Sequence, residues 1–160
     1  MCYDLAMPYL LYLLLYIVLG CVVWAWLEIN IEGPDGWAGK APTWRYESRW
    51  WMKLSGGKPL TGYHVFLNLL FLWFFHLIFI LTRHWTWGHE FVIMGCFVLM
   101  GVVEDFLWFV LNPYWGLKRF RREDIWWCRH QLWFGRVPGS YILGLLMAAI
   151  FFWLGWPALR

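Results

Sequence analysis

The stretch FVIMGCFVLMGVVEDFLWFVL, residues 91–111, decides the fold class of this chain. Its length matches the roughly 20 helical residues that cross a hydrocarbon core about 30 Å thick. It lacks the period-2 alternation of a barrel strand, and a spanning helix satisfies its own backbone hydrogen bonds. Two adjacent acids, Glu104 and Asp105, interrupt the apolar run. The stretch therefore predicts a transmembrane helix that carries a polar site.

Three further runs are similarly long and apolar, and the four predicted spans are residues 8–28, 64–82, 91–112 and 137–156. Hydrophobic residues make up 62% of the 160-residue chain and charged residues 14%, whereas soluble domains have about 45–50% and about 25%. No linker or repeat divides the sequence. We therefore predict an all-α integral membrane fold, a four-transmembrane-helix bundle that forms a single domain over residues 1–160.

Basic residues predict the orientation of this bundle. Eleven of the 13 Lys and Arg residues lie in the loops 29–63 and 113–136, and the opposite side has Arg83 and Arg160. Basic residues favour the cytoplasmic side, so we predict cytoplasmic loops and exoplasmic termini, in a bacterial-type inner membrane. The net charge of +3 suits anionic lipid head groups. Membrane lipids are therefore the predicted partners, and nucleic acid is not.

The four cysteines have no C-x-x-C spacing of the kind that binds metal, and no disulfide is expected. The predicted topology puts Cys2 outside the membrane and Cys128 inside. These two residues are therefore natural reporters for labelling from either side.

Each of the two cytoplasmic loops contains a segment, 36–54 or 114–135, that alternates basic residues with Trp, Tyr and Phe. This pattern is typical of helices that lie in the membrane plane with their cations toward lipid phosphates. We predict two amphipathic, Trp- and Arg-rich interfacial segments, which act either as membrane anchors or as lids over a cytoplasmic opening. Three residues of the second segment are predicted to attract an anionic head group: Arg119, Arg121 and Arg122.

The polar residues within the spans predict a pocket. An ionised acid at the centre of a membrane helix costs about 2.5–3.5 kcal/mol, so Glu104 and Asp105 need partners. A rise of 1.5 Å per residue puts Glu104 roughly 12 Å below the cytoplasmic end of its helix. Other polar side chains fall near this depth or at the loop surface above it. The predicted pocket collects Glu28, His64, Asn68, His76, Glu104, Asp105, Asn112 and His130.

Three kinds of chemistry suit such a pocket. Glu104, Asp105 and His64 are the predicted acid–base residues, with Asn68, His76, Asn112 and His130 as ligand-binding groups. A divalent metal is the alternative cofactor, with His64, His76, Glu104 and Asp105 as its candidate ligands, although no H-E-x-x-H or E-x-x-H pattern is present. The third alternative is structural: Glu104 bonds Asn68 or His76 and fixes the helix register.

A second cluster lies in the predicted exoplasmic turn, where His84, His89 and Glu90 stand beside Trp85 and Trp87. We interpret this turn as a hairpin between two spans that is anchored at the membrane interface by its tryptophans.

The chain has no P-loop, nucleophile elbow, dinucleotide fingerprint or haem motif. The sequence is best explained by a small membrane protein whose cytoplasm-facing intramembrane pocket binds, or acts on, an amphiphilic, lipid-like ligand. One alternative is a non-enzymatic subunit or assembly factor of a larger membrane complex, or a homo-oligomer. A metal-binding or proton-coupled membrane protein is a further alternative. Whether the protein is an enzyme stays open at this stage.

Overall fold

The structure, a computed structural model, describes residues 6–159, without the side chains of residues 6, 7, 9 and 10. Five α-helices run in chain order: α1 Ala6–Glu32, α2 Arg49–Leu54, α3 Gly62–Thr82, α4 Trp87–Leu111 and α5 Gly139–Gly155. Four two-residue strands lie in the loops: β1 Arg45–Tyr46, β2 Leu60–Thr61, β3 Trp133–Phe134 and β4 Val137–Pro138. β1 pairs antiparallel with β2, and β3 with β4.

Helices α1, α3 and α4, together with α5 and its 3-10 extension Trp156–Leu159, are long and apolar enough to cross a membrane. The four predicted helices are therefore confirmed, and an integral membrane bundle is compatible with them. The first predicted boundary is wrong, because α1 continues one turn beyond Glu28 and ends at Glu32. Gly33 follows with a left-handed φ of 59°, the conformation that commonly ends a helix.

Helix α4 is the centre of the bundle and packs closely against α1 and α5. Small residues permit this approach to α5. A Cβ atom at Gly144 would lie 2.5 Å from Cγ2 of Val102, and one at Gly155 would lie 2.7 Å from Cγ2 of Val92. Without a side chain at these two positions, the helices reach van der Waals contact, as is common between membrane helices.

Helix α3 is more weakly attached to the bundle. It packs sparsely against α4, and it makes no extensive contact with α5. Its aromatic anchors are Phe71, which stacks on Trp24 with ring centroids 4.0 Å apart, and Phe75, which lies edge-on to Phe97. Most of its other side chains are exposed, as expected of a helix that faces lipid.

The segment 114–135 is not an amphipathic helix, and this prediction is wrong. It contains two three-residue 3-10 helices, Leu117–Arg119 and Trp126–Cys128, joined by irregular chain. Some of its apolar side chains form a core cluster with the end of α4, namely Trp115, Phe120, Ile125 and Trp127, whereas others, such as Leu132 and Phe134, are exposed. The pattern of alternating basic and aromatic residues was misleading about the helix because Trp115, Phe120 and Trp127 pack against Trp108 and Phe109.

The segment 36–54 also departs from the predicted amphipathic helix, since its one helix is the six-residue α2. The two loops bond to each other over the end of the bundle: Trp115 Nε1 donates to the carbonyl of Pro34 and Trp126 Nε1 to that of Asp35. We call residues 33–61 and 112–138 together the loop cap. The two loops therefore lie on one end of the bundle, as the four-span topology requires.

The cysteine reporters are affected by this packing. Cys21, Cys96 and Cys128 are free thiols, and all three are buried. Cys128 is 2% exposed within the loop cap, so the proposal to use it as a surface reporter is wrong. Cys2 lies outside the described residues.

Candidate functional site

A cavity of about 260 Å³ lies beneath the loop cap, between α1, α3, α4 and α5. Four acids line it: Glu28, Glu32, Glu104 and Asp105. Its other polar lining residues are Lys58, His64, Asn68, Ser140 and Tyr141, and its walls include Trp24, Trp37, Trp108 and Trp127. Of the residues predicted for the pocket, the structure therefore brings together Glu28, His64, Asn68, Glu104 and Asp105.

One half of the site is built by α1 and α3. Glu28 and Glu32 are four residues apart on α1 and so share one helical face. His64 lies in the first turn of α3, and its Nε2 is 3.5 Å from Oε1 of Glu32. One ligand atom from each of the three residues lies within 4.8 Å of the other two. Glu28 and Glu32 are 7% and 6% exposed, so this is a buried carboxylate–imidazole group.

The His64 ring is fixed from several directions. Thr61, at the start of α3, accepts a hydrogen bond from the His64 backbone N–H, and its Oγ1 lies 2.6 Å from Nδ1 of the ring. The indole of Trp37 stacks on the imidazole with centroids 3.9 Å apart. The Lys58 ammonium lies over the same Trp37 ring, 4.2 Å from its centroid. These contacts leave Nε2 directed toward Glu32.

The two α1 carboxylates are also oriented by N–H donors. Trp24 Nε1 donates to Oε1 of Glu28 at 3.2 Å, and the backbone N–H of Ala38 donates to Oε1 of Glu32 at 2.5 Å. The first donor is one helical turn away on α1, whereas the second comes from the loop cap. The loop cap therefore contributes directly to the position of Glu32.

The other half of the site is built by α4 and α5. Asp105 Oδ2 accepts a hydrogen bond from the hydroxyl of Tyr141 on α5. Glu104 is 4% exposed, and its Oε1 has no hydrogen-bond partner among residues 6–159. Its carboxyl group is close enough to interact electrostatically with Glu28, Glu32 and Asp105. Trp108, one turn further along α4, also has an unpartnered Nε1 in this part of the structure.

The prediction that Glu104 bonds Asn68 or His76 is wrong. Asn68 Nδ2 donates to the backbone carbonyl of His64 instead, at 2.7 Å. His76 contacts Glu90, with Nε2 and Oε1 2.9 Å apart. The two adjacent acids do turn to different helices, as their 100° offset requires: Asp105 meets α5, and Glu104 approaches the acids of α1.

Several predicted binding residues lie outside the cavity. His76 is at the opposite end of the bundle from the loop cap, beside Glu90. Asn112 is buried and joins α4 to the loop cap, since its Nδ2 donates to the carbonyl of Gly33. His130 is exposed and lies next to Gly57. None of these three predicted residues lines the cavity.

The three arginines that were predicted to attract a head group also lie elsewhere. The Arg119 guanidinium lies over the Trp115 ring at 4.2 Å, and Arg121 forms an exposed ion pair with Asp124. Arg122 Nε donates to the backbone carbonyl of Arg129. All three interact locally within the loop cap, and none of them lines the cavity.

Three important residues were missed at the sequence level: Glu32, Tyr141 and Lys58. The Glu28–Glu32 spacing is a usable signal, because residues four apart share a face if α1 is allowed to continue. Tyr141 falls in the predicted fourth span, yet nothing local distinguishes it from an interfacial tyrosine. Lys58 reaches the cavity only because the loop cap folds back over the bundle.

The site as a whole is acidic. Four carboxyl groups line the cavity, and the cationic side chains among its lining residues are Lys58 and, when protonated, His64. A buried excess of acids is costly unless the acids bind a cation, a hydrogen-bond donor or protons. The arrangement is therefore suited to holding a metal ion, binding a donor-rich head group, or transferring a proton.

Comparison of the chain with protein-family models, with curated proteins and with solved structures finds no match. The function is therefore argued from the chemistry and position of this cavity.

Proposed function

We propose that this chain is a multi-pass membrane protein that binds an amphiphilic, lipid-like ligand in the cavity beneath the loop cap. The observation that carries the proposal is the two-part lining of the cavity. One part is polar and contains the acids and His64, whereas the other is an apolar strip of α4 formed by Val98, Gly101 and Val102. Ligand sites usually combine an apolar lining with a few placed polar groups.

The apolar strip extends into the membrane-spanning region. Val98 precedes the end of α4 at Leu111 by 13 residues, and at 1.5 Å per residue it lies roughly 20 Å below that end. A cavity that runs from the loop cap to this depth suits a molecule with a polar head and an apolar tail. Because α3 and α5 do not pack extensively on each other, the tail has a lateral route between them.

The polar end favours a head group that donates hydrogen bonds. Glu104 offers an unpartnered carboxylate oxygen, and Asp105 is held by Tyr141. We infer an amine or hydroxyl head group instead of the anionic one expected from Arg119, Arg121 and Arg122, because those three arginines do not line the cavity. If the ligand reacts there, Glu104, Asp105 and His64 provide the acid and the base.

A matched pair of variants on α4 tests this proposal. Glu104→Gln keeps the shape of the side chain and removes its charge within the cavity. Glu90→Gln makes the same change on the same helix outside the cavity. Mass spectrometry of organic extracts from the purified proteins is expected to find one amphiphile enriched with wild type and E90Q, and depleted with E104Q. Equal amounts in all three proteins would contradict the proposal.

A second variant tests the tail-binding strip independently. Gly101 lines the cavity, and a Cβ atom there would meet nothing within 4 Å. Gly101→Leu therefore places apolar atoms in the strip from a Cβ position that is free of contacts, and leucine is a better helix former than glycine. We expect G101L to fold normally and to lose the amphiphile. Copurification of a second protein, lost in E104Q, would instead favour the subunit hypothesis.

The proposed orientation has cytoplasmic loops and exoplasmic termini, on the basis of the basic residues in the loops. Two exposed positions replace Cys128 as reporters: Lys53 in the loop cap and His84 in the short turn. In a Cys2→Ser background, an impermeant thiol reagent applied to intact cells is expected to label H84C but not K53C. The reverse labelling would show that the protein is inverted.

A further inference from the structure

We propose that Glu28, Glu32 and His64 form a binding site for a divalent metal ion, with Glu104 as a fourth ligand. The first reason is geometric: one ligand atom from each of the first three residues lies within 4.8 Å of the others. Zinc binds nitrogen and oxygen ligands at about 2.0–2.2 Å, so an ion among these atoms draws them inward by small side-chain movements. This inference does not depend on the amphiphile.

The second reason is the state of Glu104. Glu104 is 4% exposed, and its Oε1 has no hydrogen-bond partner among the described residues. It lines the same cavity as the three residues above and interacts electrostatically with both α1 acids. A buried carboxylate oxygen without a hydrogen-bond partner is costly, and a shared cation offsets that cost together with the repulsion among the acids.

The third reason is the set of contacts that orient the ligands. Thr61 Oγ1 contacts Nδ1 of His64, so a proton on Nδ1 leaves the lone pair of Nε2 directed at Glu32. Trp24 holds Glu28, and the Ala38 backbone N–H holds Glu32. Metal-binding histidines and carboxylates are typically oriented by such hydrogen bonds. The ligand set of carboxylates and one imidazole suits Mn²⁺, Fe²⁺ or Zn²⁺.

Direct metal binding to the full-length protein tests the site. The protein is purified in detergent, stripped with a chelator, and titrated separately with Mn²⁺, Fe²⁺ and Zn²⁺, with bound metal measured by elemental mass spectrometry. We expect about one ion per wild-type chain for at least one of these metals. Because loss of an orienting partner alone costs about 10–100-fold in affinity, Glu32→Gln and His64→Gln are each expected to weaken binding at least tenfold.

The matched controls are His76→Gln and Glu90→Gln, which alter the other histidine–glutamate pair of the bundle. Both are expected to bind metal like wild type. The inference is overturned if the stripped wild type takes up none of the three ions, or if E32Q and H64Q bind as tightly as wild type. It is also overturned if the two control variants lose binding to the same extent.

Cobalt provides a test that does not need a variant to fold. Co²⁺ bound to imidazole and carboxylates gives visible d–d absorption without the strong thiolate band that cysteine ligands produce. We expect this spectrum from wild type, and its absence, or a thiolate band, would contradict the assigned ligands. Metal content is measured on protein washed free of lipid, so failure of this inference and failure of the amphiphile proposal are distinguished.

Discussion

Helix α3 carries two histidines, each beside a glutamate, at opposite ends of the bundle. His76 and Glu90 are 2.9 Å apart, and their side chains are 39% and 19% exposed. The second oxygen of Glu90 accepts a hydrogen bond from Trp85 Nε1, so both carboxylate oxygens have partners. The carboxylate of this pair is therefore fully hydrogen-bonded, and the pair lies near the surface.

His64 and Glu32 differ from that pair in the distance between them and in their burial. Their nitrogen and oxygen atoms are 3.5 Å apart, and their side chains are 12% and 3% exposed. Three further acids line the same cavity, and one of them, Glu104, has an oxygen without a partner among residues 6–159. Residue type alone does not separate a structural pair from a binding site. Burial and incomplete hydrogen bonding distinguish the binding site from the structural pair.

The largest predicted effect is that leucine substitutions at the two acids Glu104 and Glu90 of α4 change the free energy of unfolding in opposite directions. In metal-free, lipid-free protein, Glu104→Leu is expected to raise the free energy of unfolding by about 1–3 kcal/mol, because it removes a buried acid that has an unpartnered oxygen and lies near other acids. Glu90→Leu is expected to lower it by about 1 kcal/mol, since His76 and Trp85 lose their acceptor in a partly exposed setting. Unfolding by SDS titration in mixed micelles measures both values.

Added metal is the control for this prediction. If Glu104 is a ligand, the stabilising effect of Glu104→Leu disappears when the wild type is saturated with metal, because only the wild type gains the full binding energy. The comparison between the two ends would fail if both leucine variants destabilised the metal-free protein equally.

A smaller difference in unfolding free energy between the two ends is expected when the residue that donates a hydrogen bond to the acid is replaced instead of the acid itself. Tyr141→Phe removes the hydroxyl of the buried Tyr141 that donates to the partly buried Asp105, and it is expected to cost about 1–2 kcal/mol of unfolding free energy. Trp85→Phe removes the donor to Glu90, but Trp85 is 48% exposed, so water replaces the lost bond and the cost is about 0–1 kcal/mol. The same titration compares the two variants, and equal costs would show that burial does not separate the two ends.

The helices were predictable because length and hydropathy alone determine which runs are able to span a membrane. Glu104 was also predictable as a candidate site residue, since it interrupts such a run. His76 was grouped with it because only depth was considered. Twelve residues separate His64 from His76, which on an α-helix corresponds to about 18 Å along the axis and about 120° of rotation.

The remaining errors come from contacts that are distant in sequence. Glu32 was overlooked because α1 was ended at its first acid, whereas the backbone N–H of Ala38 and the His64 ring give the second acid a buried place. The loop segment around Trp127 alternates basic and aromatic residues like an interfacial helix. It folds irregularly because Trp127 finds a stacking partner in Phe109 of α4, and no local pattern encodes that contact.

The last prediction concerns the rate at which Cys128 reacts with a thiol reagent. We expect this rate to be very low, because the loop cap buries the thiol. Burial raises the pKa of this thiol to about 11, so at pH 8 roughly one molecule in a thousand carries the reactive thiolate. In purified Cys2→Ser protein we expect slow alkylation, with a rate that rises about tenfold per pH unit between pH 7 and pH 10. The introduced thiol of His84→Cys is the control, because an exposed thiol has a pKa near 8.5 and its rate levels off above that pH. Peptide mass spectrometry over a time course measures both sites. If Cys128 reacts as fast as the introduced cysteine at neutral pH, the loop cap is open in solution and the two ends of the bundle are equally accessible.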